Sequence, residues 1–271
     1  MAVADGPQGR VLIIAGSDSG GGAGIQADIK TVSMLGGYAM TAITAITAQD
    51  TQGVHGVWPV PVEGVLKQID VTLADIGADV IKTGMLGRAA LVEAIAELLS
   101  EKASFIPRII DPVMVATSGD QLIDARAVEA IRSDLVPHAR LVTPNAPEAE
   151  ILTGKAVETV DGQRRAAEAL LELGAHGALV KGGHIGDNVI TDVLQTTTGE
   201  WIFEGPRIRT RSTHGTGCTL ASAIATFLAQ GTSVPESVER GRDYLVGALR
   251  AAKGFGHGHG PVHHGWVLDE E

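Results

Sequence analysis

Val11-Leu12-Ile13-Ile14-Ala15 is an unbroken apolar run with no polar alternate. A strand of this kind has no face to give to water. It belongs inside a parallel sheet that is covered on both sides. Parallel strands need crossovers, and the chain supplies them. Strand-like stretches at 39–48, 79–82, 105–111 (broken by Pro107), 140–143 and 178–181 alternate with helical patterns. Those patterns fall at 25–35, 63–75, 91–99, 124–135, 147–152 and 163–173. Stretches 189–195 and 201–204 read as a β pair joined by Thr197-Thr198-Gly199, and helices at 219–228 and 235–253 follow. The alternation predicts an α/β chain with a mostly parallel central sheet and helices on both faces. No composition break divides it, so residues 1–271 read as one domain, with 1–9 a flexible N-terminus. In the first helix Ile25, Ile29, Val32 and Leu35 mark the core side, and Asp28 falls inside that stripe. A buried carboxylate needs a partner. Either neighbouring backbone amides or a ligand at the mouth of the preceding glycine loop would serve.

Ligands of such sheets bind beyond the C-terminal ends of the strands. The residues with chemistry recur there: Gly16, Gln49, Met85, Asp111, Asn145 and Lys181. The run Ser212-Thr213-His214-Gly215-Thr216-Gly217-Cys218 adds a further element. Its glycines permit a tight turn, and the helical spacing of Leu220, Ala221, Ile224, Phe227 and Leu228 places that turn at a helix N-terminus. Unpaired N–H groups and the helix dipole favour an anion there. Cys218, the single cysteine, lies at the same end, where its thiol is expected to have a lowered pKa.

Several functions are set aside on chemistry. The net charge of −11 and the absence of a basic stripe exclude a nucleic-acid partner, and 3% aromatics do not suit a base-stacking surface. No stretch approaches the roughly 20 apolar residues of a membrane helix, and one cysteine fits a reducing compartment. The reading is a cytoplasmic protein with no membrane partner. The first loop lacks the Gly-Lys-Ser/Thr ending of a P-loop. Gly22-Ala23-Gly24-Ile25-Gln26-Ala27 fits a dinucleotide pattern, with Asp50 as the ribose acid, but lies too far beyond its strand. The histidines of 256–264 are spaced by flexible glycines that hold a metal poorly. Other residues keep two readings. Asp111 is a cap or an Mg²⁺ ligand, Asn145 and Glu148 form a capping box or organise Mg²⁺, and Lys181 contacts phosphate or is solvated. His214, four residues before Cys218, raises a Cys–His pair.

Taken together the motifs resemble the hydroxymethylpyrimidine/phosphomethylpyrimidine kinases of thiamine biosynthesis, in the ribokinase-like superfamily. The matching pieces are Ala15-Gly16-Ser17-Asp18, Gly21-Gly22-Ala23-Gly24-Ile25-Gln26-Ala27-Asp28, Thr44-Ala45-Ile46-Thr47-Ala48-Gln49 and Lys82-Thr83-Gly84-Met85-Leu86. They continue with Asp111-Pro112-Val113-Met114, Ser118-Gly119-Asp120, Thr143-Pro144-Asn145 with Glu148, and Lys181-Gly182-Gly183-His184. The last are His214-Gly215-Thr216-Gly217-Cys218 and Gly258-His259-Gly260-Pro261-Val262-His263-His264. They run in family order over nearly the whole chain.

The resemblance implies a three-layer ribokinase-like fold and two successive ATP-dependent phosphorylations. These convert 4-amino-5-hydroxymethyl-2-methylpyrimidine to its monophosphate and then its diphosphate. By motif, Gln49, Gly16, Asp28, Met85 and Val113 would bind the pyrimidine, and Lys181, Asn145, Thr213 and His214 would bind ATP. Asp111 and Glu148 would hold Mg²⁺, directly or through water. The amides of Gly215, Thr216, Gly217 and Cys218 would form an anion hole, with Cys218 as the base of the first step. The resemblance also implies a homodimer and leaves a need for K⁺ open. Two departures are visible. Ser19 stands where many members have proline, and Asp50 where asparagine is common. The rival readings are a pyridoxal kinase of the same superfamily, a non-catalytic pyrimidine sensor and a dinucleotide-dependent oxidoreductase.

Overall fold

The structure is a computed structural model that describes residues 8–115, 123–183, 185 and 188–268. Ser118-Gly119-Asp120, His184 and the first seven residues lie outside the described residues. In chain order the first elements are β1 (Arg10–Asp18), α1 (Gly24–Met34), β2 (Tyr38–Gln49), β3 (Val54–Pro59), α2 (Val62–Asp75) and β4 (Val80–Thr83). Next come α3 (Ala89–Lys102), β5 (Arg108–Ile110), α4 (Ala125–Ala130), β6 (Leu141–Val142), α5 (Ala146–Thr153), α6 (Val160–Glu172) and β7 (Gly177–Val180). The chain finishes with β8 (Val189–Thr196), β9 (Gly199–Pro206), α7 (Thr216–Ala229) and α8 (Val234–Arg250).

Among the described residues the nine strands form one sheet, in the order β3-β2-β1-β4-β5-β6-β7-β8-β9. β2, β1, β4, β5, β6 and β7 pair in parallel, and β3, β8 and β9 add antiparallel flanks. The β1 run is buried on both faces, as its composition demands. Leu12 and Ile14 enter the core shared with α2 to α6, whereas Val11, Ile13 and Ala15 enter the core shared with α1, α7 and α8. The expected mostly parallel sheet with helices on both faces is the architecture found. After β1 the chain steps to β2 on one side and then to β4 on the other. The strand order therefore reverses beside β1, and a crevice opens there beyond the carboxyl ends.

Some local expectations are corrected. Strand β3, absent from the sequence reading, runs antiparallel to β2 and exposes Val57 and Trp58. Ile29 faces water rather than the core. α1 instead buries Ile25, Ala27, Asp28, Thr31 and Val32, a face that small side chains let approach the sheet closely. The helix expected over 124–135 is α4 followed by a π turn at Ile131–Leu135 and a 3-10 turn at Val136–His138. Pro137 contributes to the break, since it has no N–H with which to continue the helical hydrogen-bond ladder. Gln8 and Gly9, expected to belong to a flexible start, hydrogen-bond to the turn at Gly36-Gly37-Tyr38. Among the described residues no helix is long and apolar enough to cross a membrane.

Candidate active site

The first glycine loop and the turn before α7 are locked together. Asp18 Oδ2 accepts the amides of Gly22 and Ala23 and lies 2.9 Å from His214 Nε2. Burial disfavours the Asp18 carboxylate, but His214 and the loop amides outweigh it and hold its pKa below the ordinary value. At two glycines the backbones touch. Gly24 has φ +54°, and a Cβ there would stand 2.3 Å from Gly16 O. Gly215 has φ +77°, and its Cβ would stand 1.8 Å from Gly22 O. Only glycine fits at either place. His214 is thus committed to the first loop. Among the described residues its ring is bonded to Asp18 and makes no hydrogen bond to Cys218.

Beside this junction a buried polar centre gathers the ends of β5, β6 and β7. Lys181 Nζ lies 3.4 Å from Asp111 Oδ1, which also accepts the Thr143 hydroxyl at 3.1 Å. Asp111 Oδ2 and Thr83 Oγ1 are buried with no hydrogen-bond partner among the described residues. Burial works against the Lys181 ammonium, but Asp111 and Glu148 outweigh it and raise its pKa. Asn145 and Glu148 form a capping box at the start of α5, with reciprocal bonds of 2.9 and 2.8 Å. Burial, opposed by Lys181 and reinforced by Asp111, pushes the Glu148 carboxyl up to about 7. A Cβ on Gly217 would lie 3.5 Å from Lys181 Nζ and 3.9 Å from Asp111 Oδ2. The N-terminus of α7 therefore faces this pair, and the two halves of the expected centre do meet.

Below it lies a charge pair that sequence reasoning missed. Lys82 and Asp28 have no exposed side-chain surface. Lys82 Nζ donates to both Asp28 oxygens at 3.0 and 3.1 Å, and Ser222 Oγ donates to Asp28 Oδ1 at 2.7 Å. Asp28 is held by side chains of β4 and α7. It bonds neither the neighbouring amides nor an open pocket, so its expected place on the substrate wall is corrected to one beneath it. Burial opposes the Lys82 charge, and Asp28 overcomes that and raises the ammonium pKa.

Cys218 stands one helical turn before Ser222, on the same side of α7. The expectation of a lowered thiol pKa is overturned. Burial pushes the thiol up to about 12, and Asp28 and Asp111 add to the rise. Lys82 and the Gly24 amide, which donates to the sulfur, pull the other way and are outweighed. Cys218 retains some exposed surface, which tempers that rise, but its direction is set by the enclosing groups.

The remaining expected residues are dispersed along the crevice. Gly16 abuts Met85, since an added Cβ would lie 2.4 Å from Met85 Cε. Gln49 is half-buried at the end of β2, its Oε1 accepting the Thr47 hydroxyl at 3.4 Å. Val113, also half-buried, lies two residues after Asp111. A cavity of about 250 Å³ borders Met85, Leu86, Thr44 and Pro59. Of the five expected pyrimidine residues it takes in only Met85. Thr213 Oγ1 lies 3.1 Å from His259 Nδ1. Among the described residues no group of three or more His, Cys, Asp or Glu could hold a metal, and the glycine-spaced histidines do not cluster.

The profile of the phosphomethylpyrimidine kinase family matches residues 18–263. The chain is 50% identical over 260 residues to the thiamine biosynthesis bifunctional protein ThiED of Geobacter sulfurreducens, covering 95% of this chain but only 52% of that one. It is 48% identical over 260 residues to the hydroxymethylpyrimidine/phosphomethylpyrimidine kinase of Streptomyces coelicolor, covering 96% of each. Among solved structures, the pyridoxal kinase of Staphylococcus aureus in complex with AMP-PCP and pyridoxal superposes with a TM-score of 0.89 at 32% identity, covering 98% of this chain and 97% of that one.

Proposed function

This chain belongs to the phosphomethylpyrimidine kinase family, and we propose that the crevice above β1, β4, β5 and β7 is where its two phosphoryl transfers take place. The enzyme is an ATP-dependent kinase. It phosphorylates 4-amino-5-hydroxymethyl-2-methylpyrimidine and then the resulting monophosphate, giving the diphosphate used for thiamine diphosphate. The observation that carries the siting is the convergence of Lys181, Asp111 and the N-terminus of α7. All of these groups are borne by one sheet and its connections, which supports reading the chain as one catalytic domain.

Phosphoryl transfer needs positioning and charge stabilisation more than covalent chemistry. Lys181, with Asn145 and Thr213, contacts the ATP phosphates. The amides from Gly215 to Cys218 receive the transferred group. Gln49, Gly16, Met85 and Val113 hold the pyrimidine. Mg²⁺ fits the centre: Asp111 Oδ2 is a buried carboxylate oxygen without a partner among the described residues, and Glu148 is a second carboxylate close enough to feel its charge. Two carboxylates suit an ion that takes its other ligands from phosphate and water. Bound there, Mg²⁺ would neutralise charge on the phosphate oxygens. In the first step the Cys218 thiolate removes the hydroxymethyl proton as that oxygen attacks the γ-phosphorus and ADP departs. In the second step the acceptor is already an anionic phosphate and has less need of a base. A homodimer is part of the proposal. Ile46 and Trp58 are cross-strand partners on β2 and β3, each more than half exposed, and such an apolar pair suits an interface. Light scattering at twice the chain mass supports it, and a single-chain mass removes it.

A second reading, pyridoxal phosphorylation, is favoured by the likeness to the Staphylococcus aureus pyridoxal kinase. One product assay separates the two. Purified protein is incubated with Mg-ATP and either hydroxymethylpyrimidine or pyridoxal, and the products are resolved by chromatography. Monophosphate followed by diphosphate is the expected result. Pyridoxal phosphate without pyrimidine products would replace the present reading with the second. No product in either lane, with ligand still bound, would leave a sensor.

A further inference from the structure

The turn that carries Lys181 is held by groups outside the reaction centre. The β7–β8 ladder stops at the pair Val180 and Val193, and the chain then leaves β8. Three side chains replace the missing ladder. Gln163 of α6, fully buried, donates its side-chain amide to Val180 O at 2.9 Å and to Thr191 O at 2.7 Å. Asp192 of β8, 5% exposed, accepts the Gly182 amide at 2.7 Å. Its other oxygen accepts Arg242 Nε of α8 at 2.8 Å, and that guanidinium lies 5.6 Å from the Phe203 ring. Further along, Arg207 donates to the carbonyls of Gly183 and Ile185. Nothing larger than glycine fits at 182, where a Cβ would stand 2.0 Å from Thr191 O. On the other side, the Lys181 amide is fixed by Pro144 O at 2.9 Å.

The peptide before Lys181 is therefore held at both its C=O and its N–H, and the peptide after it is held at the Gly182 N–H by a charge-assisted bond. We infer that Asp192, braced by Arg242, is a positioning residue for the nucleotide site. It fixes the peptide plane after Lys181 so that the ammonium meets the phosphates without the turn having to order first. This rests on the assignment of Lys181 to ATP. It goes beyond that assignment because neither Asp192 nor Arg242 touches the reacting groups. Pre-ordering of a binding loop lowers the entropic cost of binding. Its loss should appear in the nucleotide term and leave the acceptor term alone.

The test is steady-state kinetics in both substrates for Asp192→Ala, Asp192→Asn, Arg242→Met and Lys181→Ala, each checked for folding by its thermal midpoint. Asp192→Ala removes the acceptor, and KM for ATP should rise about tenfold or more, as expected for one charge-assisted bond, with KM for hydroxymethylpyrimidine unchanged. Asp192→Asn keeps an oxygen for Gly182 but turns an amide donor toward Arg242, so its ATP-selective loss should be smaller than that of Asp192→Ala and no smaller than that of Arg242→Met. Arg242→Met leaves the Gly182 bond in place and should give an intermediate, ATP-selective loss. It also carries the test if Asp192→Ala does not fold. A parallel rise in both KM values, or a fall in kcat alone, would overturn the inference and leave Asp192 a purely structural residue. So would an Asn variant as impaired for ATP as the Ala variant. If Lys181→Ala binds ATP normally, the ATP assignment itself fails, whatever the Asp192 variants do.

Discussion

Cys218 is the residue at which local and tertiary effects disagree. A cysteine at a helix N-terminus is expected to ionise easily, because the dipole and unpaired amides favour the thiolate. The amide is there, donated by Gly24, and so is a cation, Lys82. Enclosure beside two carboxylates nevertheless wins, and the thiol is raised. The direction has a kinetic consequence. A base present mainly as its acid gains active form tenfold for each pH unit below its pKa. The first phosphorylation should therefore accelerate from pH 7 to 9, and the second should stay nearly flat. Cys218→Ala should slow the first step by roughly 10²-fold, the usual scale of general-base loss, and the second by less than about tenfold. Quenched assays that quantify each phosphate separately check both statements. Equal loss in the two steps would mean that the substitution damages the anion site and that the thiol is no base. The spacing of Gly-Thr-Gly-Cys before an apolar helix was enough to place this residue. Its ionisation was not legible, because desolvation depends on side chains 100 or more positions away.

Among elements, α1, β4 and α7 are joined by Asp28, Lys82 and Ser222. Each half of the charge pair left a trace in the sequence. Asp28 interrupts the apolar stripe of a helix, and Lys82 sits in a strand otherwise fit for burial. Two opposite charges stranded in apolar elements are the signal that could have paired them, but periodicity carries no information on which elements face each other. Strand β3 was missed for a related reason. It is an exposed flank bonded to β2 alone, so burial never stamped a pattern on it. Breaking the pair is costly because it strands a charge without water. Lys82→Met should destabilise the fold by about 3–5 kcal/mol, whereas Lys82→Met with Asp28→Leu should recover much of that loss. Urea unfolding of the single and double variants measures it. A double variant no better than the single one would show that the loss comes from packing rather than from the uncompensated carboxylate.

Across the whole molecule the sequence pattern is clearest where burial is most complete, as in the Val11–Ala15 run of β1 and in β4 beside it. Their order in the sheet could not be read, because hydrophobic pattern identifies strands without assigning their neighbours. The site shows the same division. Asp111, Lys181 and the α7 turn were each named from strand-end and helix-start chemistry, and their meeting follows from the topology. Sequence patterning also singles out His214 and Asp28, and each has its partner far away in the chain, Asp18 for the one and Lys82 for the other. The contact between Asp18 and His214 joins residues 196 positions apart, and Gly215 rests on Gly22 close by. The order of synthesis therefore matters to this enzyme. A growing chain can build the β1 end of the sheet long before the α7 turn emerges from the ribosome, but it has no closed site until then. The same geometry makes the protein a candidate for reassembly from parts. Two fragments divided at the exposed Thr197-Thr198 turn should each be inert and should regain kinase activity when refolded together. An active N-terminal fragment alone would show that the junction is dispensable.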